Sequence, residues 1–186
     1  MEGHTDSALM KLVQAGDSGE LAVLFERHNA ALFRYLLHLT RDRAVSEDLV
    51  QEVFFRILKY SRSYDHSLSF PAWLYGMARN AYFDSLRKRR GERPGAEMSD
   101  IESSAPLPEE VITRKQDVRF LQEALGKLPD DKREVLVLSR FHEMRYEDIA
   151  RVLECEVGTV KVRVYRALKE LRGHFCALRG EKLYDV

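Results

Sequence analysis

Residues 146–172 read YEDIARVLECEVGTVKVRVYRALKELR, and the pattern of this stretch decides the fold of the second half of the chain. Ile149, Ala150 and Leu153 make one apolar edge, and Val157, Val160, Val164, Ala167, Leu168 and Leu171 make another. The short break ECEV lies between them, and Ala150 is small where two helices must cross closely. Two short helices about a tight turn, the second one basic, form the helix-turn-helix pattern. In the second helix Lys161, Arg163, Arg166, Lys169 and Arg172 stand against Glu170 alone. Val162, Tyr165, Arg166 and Lys169 are spaced i, i+3, i+4 and i+7, so they share one stripe, and Lys161 borders it. Arginine donates two parallel hydrogen bonds to guanine in the major groove, and lysine pairs with phosphates. The free N–H groups at the helix start, near Gly158 and Thr159, suit a phosphate oxygen. A charge run alone is more often a solvated face. Its coincidence with a preceding short helix, a tight turn and a Gly-Thr start turns the reading towards a DNA groove.

The basic helix sits in a chain with no net charge: 30 Lys and Arg balance 30 Asp and Glu. A histone-like coat of positive charge is thereby excluded. The balance is local: residues 1–90 carry 13 basic and 11 acidic groups, 91–113 one and six, and 114–186 16 and 13. Two mildly basic blocks therefore flank an acidic connector. With 186 residues and 45% hydrophobic content the chain can bury the cores of two small domains. The two cysteines, Cys155 and Cys176, form neither a disulfide framework nor a metal-ligand spacing, so no metal and no cofactor is expected. Cys155 reads as core, and a lone thiol gives Cys176 little basis for redox sensing. No signal peptide opens the sequence and no apolar run approaches a bilayer span, which predicts a cytoplasmic protein without membrane insertion.

Outward from the opening stretch, nearly every segment has helical period. Helices are expected over Ser7 to Ala15, about Glu20 to Thr40 and about Ala44 to Tyr60, the last with Leu49, Val53, Ile57 and Tyr60 on its buried stripe. Another comes next with Pro71 just inside its start, where the missing N–H does no harm, and runs to Arg87-Lys88-Arg89-Arg90. The tract GERPGAEMSDIESSAPLPEE, rich in Pro, Gly and acids, reads as a linker. Helices at about 112–127, 131–142, 146–153 and 157–174 complete an all-α fold. The expected organisation is a helical bundle over 1–90, a flexible acidic linker over 91–111 and a helix-turn-helix domain over 112–186.

The first block carries two candidate surfaces. Asp48, Gln51, Glu52, Phe55 and Lys59 share one face of the third helix. A phenylalanine among carboxylates suits protein docking, unless Phe55 packs beneath a neighbouring helix. In FPAWLYGMARNAYFDSLRKRR, the aromatic residues Trp73, Tyr75, Tyr82 and Phe83 interleave with Arg79, Asn80, Arg87 and Lys88. Aromatics beside cations hold unstacked bases, and an asparagine reads a base edge. Core packing is the competing reading, and it is the stronger one for Trp73 and Leu74.

Four stretches in register, SEDLVQEVFFRI, SFPAWLYGMARNAYFDSLRKRR, LPDDKREVLVLSRF and the opening one, make the sequence resemble the extracytoplasmic-function (ECF) sigma factors, small two-domain members of the sigma-70 family. The resemblance covers about residues 8 to 176. It implies a transcription initiation factor, not an enzyme, that binds core RNA polymerase at the β′ clamp and the β subunit and directs it to promoter DNA. Asp48, Gln51, Glu52 and Phe55 would contact the clamp. Tyr64, Phe70, Trp73, Arg79, Asn80, Arg87 and Lys88 would serve −10 recognition and melting, with a base flipped into a pocket beside residues 64–70. Thr159, Lys161, Val162, Arg163, Tyr165, Arg166 and Lys169 would read the −35 element. A cognate anti-sigma factor is implied, and the free protein is expected to be a monomer. Glu154 departs from the Gly common at the turn, Glu156 from the usual Ser or Asp cap, Arg145 from Ser or Thr, and Val162 from a small polar residue. The alternatives are a dimeric helix-turn-helix regulator, which would lack a use for the aromatic-basic helix, and a nucleic-acid enzyme, for which no convergent carboxylates or nucleophile are present.

Overall fold

The computed structural model describes residues 4–92 and 109–180, and every regular element among them is helical. Eight α-helices occur in order: α1 Asp6–Gln14, α2 Gly19–Thr40, α3 Arg43–Lys59, α4 Phe70–Glu92, α5 Glu109–Lys127, α6 Asp130–Leu136, α7 Tyr146–Val152 and α8 Val157–Arg179. Most of the expected linker, residues 93–108, lies outside the described residues. At its edges α4 continues to Glu92 and α5 begins at Glu109.

Local chemistry sets the ends of the helices. The Thr5 hydroxyl accepts from the Ala8 N–H at 3.2 Å, Gly16 at φ 105° closes the first helical segment, and the Asp42 carboxylate accepts from the Val45 N–H at 3.0 Å. α6 starts with Asp130 and Asp131 in its first turn, where the helix dipole favours negative charge. It runs into a π turn, Val137–Phe141, in which the His142 N–H reaches back five residues to the Val137 carbonyl.

In the first domain α2, α3 and α4 pack around Leu32, Leu36, Leu39, Leu49, Val53, Ile57, Leu74 and Ala78. α1 is tied to α2 by Asp6, whose carboxylate pairs with Arg27 at 3.0 Å and His28 at 2.8 Å. Tyr60, placed by periodicity on the buried stripe, is instead 48% exposed: α3 ends at Lys59 and the chain turns into a short 3₁₀ segment, Ser61–Ser63. In the second domain α5, α6 and α7 pack on α8 through Leu125, Leu128, Val135, Ile149, Val160, Val164 and Ala167.

The two domains also pack on each other, α2 against α6 and α4 against α7. Buried charge marks this junction. Glu134 of α6 is 3% exposed and accepts from the Tyr35 hydroxyl at 2.9 Å. It pairs with Arg79 Nε of α4 at 3.2 Å. Its neighbour Arg133 turns the other way and caps the end of α5, donating to the carbonyls of Leu125, Gly126 and Leu128.

Candidate nucleic-acid and polymerase interfaces

The helix-turn-helix forms as α7, a turn through Leu153–Glu156, and α8. The Cys155 N–H bonds the Ala150 carbonyl at 2.9 Å and closes the turn, with the Cys155 side chain partly buried against the core. Glu154 takes the left-handed conformation at φ 50°, a region that costs a residue with a Cβ about 1–2 kcal/mol. Glu156 occupies the N-cap of α8 without a side-chain cap bond. Both departures from the family pattern therefore fall where a glycine and a capping side chain would act.

Of the α8 candidates, Lys161, Val162, Tyr165, Arg166 and Lys169 are exposed, while Thr159 and Arg163 are half-buried. Val162 and Tyr165 stand out for apolar exposure, at 47% and 69%. Lys161, Arg163, Arg166 and Lys169 form no ion pair among the described residues, so their charges face outward uncommitted. α8 runs on to Arg179, beyond the expected end near 174, where Arg179 pairs with Asp117 of α5 at 3.6 Å.

On α3, Asp48, Gln51, Glu52 and Phe55 are all exposed and aligned as expected. Phe55 is 62% exposed, which removes the reading in which it packs beneath a neighbouring helix. Leu58 extends the apolar surface one turn further. Arg56, between these residues, bonds Glu52 at 2.6 Å and Asp84 of α4 at 2.8 Å. The hydrogen bond from Arg56 holds the Asp84 carboxyl below its ordinary range.

The −10 candidates divide into an exposed set, an interior aromatic set and Arg79. Asn80, Arg87 and Lys88 are exposed along α4. Tyr64 and Phe70 are interior, at 4% and 2% exposure, and Trp73 is half-buried beside them. Their rings cluster, with Tyr64 5.1 Å from Trp73 and 6.0 Å from Phe70. α1 braces this loop: Gln14 donates to the carbonyls of Ser61 and Tyr64 and bonds His66, which also bonds Ser7. Arg79 stacks on Phe83 at 4.8 Å and is engaged by Glu134.

Sequence reasoning missed the junction residues. Glu134 sits in DDKREVL, which reads as a solvated charge run, and only its spatial partners reveal its burial. Burial pushes the Glu134 carboxyl up, opposed by the Arg79 charge and the Tyr35 hydroxyl. Tyr35 is driven well above its ordinary value by burial and then by Glu134. The Tyr75 hydroxyl lies 2.8 Å from His142 Nδ1, and His142 Nε2 is buried with no hydrogen-bond partner among the described residues. Burial, with help from His38 and Arg34, lowers the His142 imidazole to about 4.

Among the described residues no cluster of His, Cys, Asp and Glu could hold a metal ion, and no helix is long and apolar enough to cross a membrane. The sequence matches the family Sigma-70 region 2 over residues 24–92 and Sigma-70, region 4 over 121–171. It is 30% identical over 173 residues to the ECF RNA polymerase sigma factor SigW of Bacillus subtilis, covering 88% of this chain and 92% of that one. It is 35% identical over 141 residues to the ECF RNA polymerase sigma factor EcfG of Rhodopseudomonas palustris, covering 76% and 77%. Two solved structures share the fold. CnrH in complex with the cytosolic domain of CnrY has a TM-score of 0.71 at 24% identity, over 92% of this chain and 97% of that one. The sigma factor RpoE of Bartonella quintana, in complex with the anti-sigma factor NepR, has a TM-score of 0.66 at 29% identity, over 82% and 94%. With both regions in order along one all-helical chain, the protein belongs to the ECF RNA polymerase sigma factors of the sigma-70 family, which direct RNA polymerase to promoters and are not enzymes.

Proposed function

We propose that this factor reads the −35 element as duplex DNA through α8 and recognises and melts the −10 element through α4 and the 64–70 loop. The observation that carries the reading is the exposed stripe of Lys161, Arg166 and Lys169 around Tyr165, uncommitted to any internal ion pair among the described residues and set on the second helix of a helix-turn-helix. Arg166 is placed to fork onto a guanine, with Lys161 and Lys169 on phosphates and Arg163 at the edge of the face. In the first domain, Asn80, Arg87 and Lys88 offer a polar and cationic track on the surface of α4. Unstacking a base costs a few kcal/mol, which an aromatic lining built from Tyr64, Phe70 and Trp73 would repay once the loop opens. Arg79 would join this surface on release from Glu134.

Polymerase docking is assigned to Asp48, Gln51, Glu52 and Phe55 of α3, an acidic face around one large apolar side chain that fits the β′ clamp, with the second domain meeting the β subunit. Polymerase docking and −10 recognition are assigned to residues 1–90, a connector to 91–111 and −35 recognition to 112–186. The factor acts in the cytoplasm, is a monomer when free, and answers to an anti-sigma factor, as the complex of RpoE with NepR suggests by analogy. Co-elution with core RNA polymerase on size exclusion, followed by footprinting of the complex on promoter fragments, tests the reading. A complex that protects both elements is expected. Binding of free protein as a dimer to two half-sites one helical turn apart would replace it with a conventional regulator.

A further inference from the structure

The first helix reaches into the loop assigned above to the flipped base. α1 is fixed to the bundle by its buried residues Leu9, Met10 and Val13, and by Asp6 on Arg27 and His28. Its last residue, Gln14, is half-buried and turns its side chain onto the segment that leaves α3. Gln14 Nε2 donates to the Ser61 carbonyl at 2.9 Å and to the Tyr64 carbonyl at 3.2 Å, 47 and 50 positions along the chain. Gln14 Oε1 lies 2.8 Å from His66 Nε2. Both amide N–H groups go to carbonyls, so Oε1 is the acceptor and the neutral His66 ring carries its proton on Nε2. His66 Nδ1 then accepts from the Ser7 hydroxyl, back on α1, at 3.0 Å. Held in this way, the His66 ring packs edge-on against Tyr64 at 4.9 Å.

A primary amide is the neutral side-chain group that supplies two donors and an acceptor together, which this position uses in full. The amide fixes Tyr64 twice, by its carbonyl directly and by its ring through His66. The far end of the loop, Phe70, is fixed as the first residue of α4, and between them the Asp65 carboxylate closes a turn by accepting from the Ser67 N–H at 2.8 Å. We propose that Gln14 is a positioning residue for −10 recognition: from α1 it sets the conformation in which residues 64–70 meet the base. The inference rests on the −10 role proposed above for that loop. It adds a contribution from a helix that precedes residues 24–92, the stretch matched to Sigma-70 region 2. The physical signature of such a role is selectivity. A loop displaced by a fraction of an ångström keeps its charge attraction to phosphates, which falls slowly with distance, but loses hydrogen bonds to base edges, which fail beyond about 3.5 Å.

The test uses the full-length factor assembled with core RNA polymerase. The probe is a fluorescent single-stranded oligonucleotide bearing the −10 sequence that the wild-type complex selects from a random pool, together with each single-base change of it. Anisotropy reads the ratio of affinities between the selected strand and each change, and the affinity for a −35 duplex. Gln14→Leu loses all three bonds at similar volume, whereas Gln14→Glu keeps the acceptor for His66 and loses both donors. Thr5→Ala removes the hydroxyl that caps α1 and acts at the opposite end of that helix from Gln14. Both Gln14 variants are expected to lower the ratio about fivefold or more at one position of the strand and to leave −35 binding unchanged. Thr5→Ala is expected to lower the melting temperature and to keep the ratio. Weaker binding to every strand at an unchanged ratio would overturn the inference, as would an equal loss of ratio in Thr5→Ala. If Gln14→Leu loses helix content by circular dichroism, Gln14→Glu decides the question. A wild-type complex that selects no strand would refute the −10 assignment and this inference with it, whereas selection that survives in the Gln14 variants would overturn the inference alone.

Discussion

The two surfaces proposed to read the promoter differ in how they are presented. On α8 the reading face is finished: cations and apolar side chains stand exposed on a helix anchored by Val160, Val164 and Ala167. On α4 part of the corresponding face is turned inward, with Phe70 in the core and Arg79 bound to the other domain. On the proposed roles, the difference follows from the targets. Duplex DNA presents a preformed groove that a rigid helix can meet as it is. A base to be flipped needs a pocket, and an open aromatic pocket is costly to expose to water. On that reading the first surface suits docking as it stands and the second needs its aromatic side chains exposed first.

The sharpest way to break the comparison removes the outward face of the first domain. Asp48→Arg with Glu52→Arg is expected to abolish co-elution with core RNA polymerase while duplex −35 binding by α8 survives. Retained co-elution would move the docking face off α3. Glu52 leaves an ion pair with Arg56 in this variant, but an exposed i,i+4 pair contributes only about 0.3–0.5 kcal/mol, so the fold holds. Next in size, Arg166→Ala is expected to cost about 1–3 kcal/mol on the preferred −35 duplex and little on scrambled DNA. A uniform loss across sequences would make Arg166 a phosphate contact.

Acidity sharpens the comparison from the inward side. The His142 imidazole is lowered to about 4 by burial and then by His38 and Arg34, so the packed junction excludes a proton that an unburied imidazole takes up near 6.5. Its contribution to the packed junction is complete above about 6.5 and is lost as pH falls from there to about 4. After allowance for solvent screening this is worth about 1–2 kcal/mol. His38, Arg34 and Tyr75 face the ring, and Glu134 titrates with the opposite sign, because its carboxyl is raised. Scattering across pH 4–7 on wild type and His142→Gln separates these groups, since only the His142 contribution differs between the two. The wild type is expected to expand on acidification more than the variant, and parallel curves would show that His142 does not contribute. The smallest effects belong to the turn. Glu154→Gly relieves the left-handed backbone and Glu156→Asp supplies a cap, each stabilising the second domain by about 1 kcal/mol in thermal unfolding. An unchanged melting temperature would show that the turn stores no such strain.

Much of this architecture was legible in the sequence because it is local. Periodicity placed each helix to within a few residues, and the basic stripe on α8 and the Asp48–Phe55 face of α3 come from spacing alone. Tyr60 was misplaced because periodicity carries no information about where a helix stops when the last turn lacks a strong breaker. The junction was invisible for a different reason. Tyr35 and Glu134 are 99 positions apart, and neither a tyrosine in a leucine-rich helix nor a glutamate in a charge run announces its partner. Local rules find surfaces that face water, whereas buried polar pairs between distant segments show only in three dimensions.

The π turn at Val137–Phe141 gives the second domain an unusual sensitivity to how one short segment is wound. A wide turn accommodates one residue more than an α-helix would over the same rise, and each residue of helix rotates the succeeding chain by about 100°. Rewinding the segment as α-helix with every residue kept would swing His142 and Phe141 out of line with Tyr75 and His38. The amino acids at the junction would be unchanged and only their bearing lost. The extra residue thus acts as a phase setting: it fixes the angle at which the end of one domain is aimed at the other, independently of which side chains make the contact.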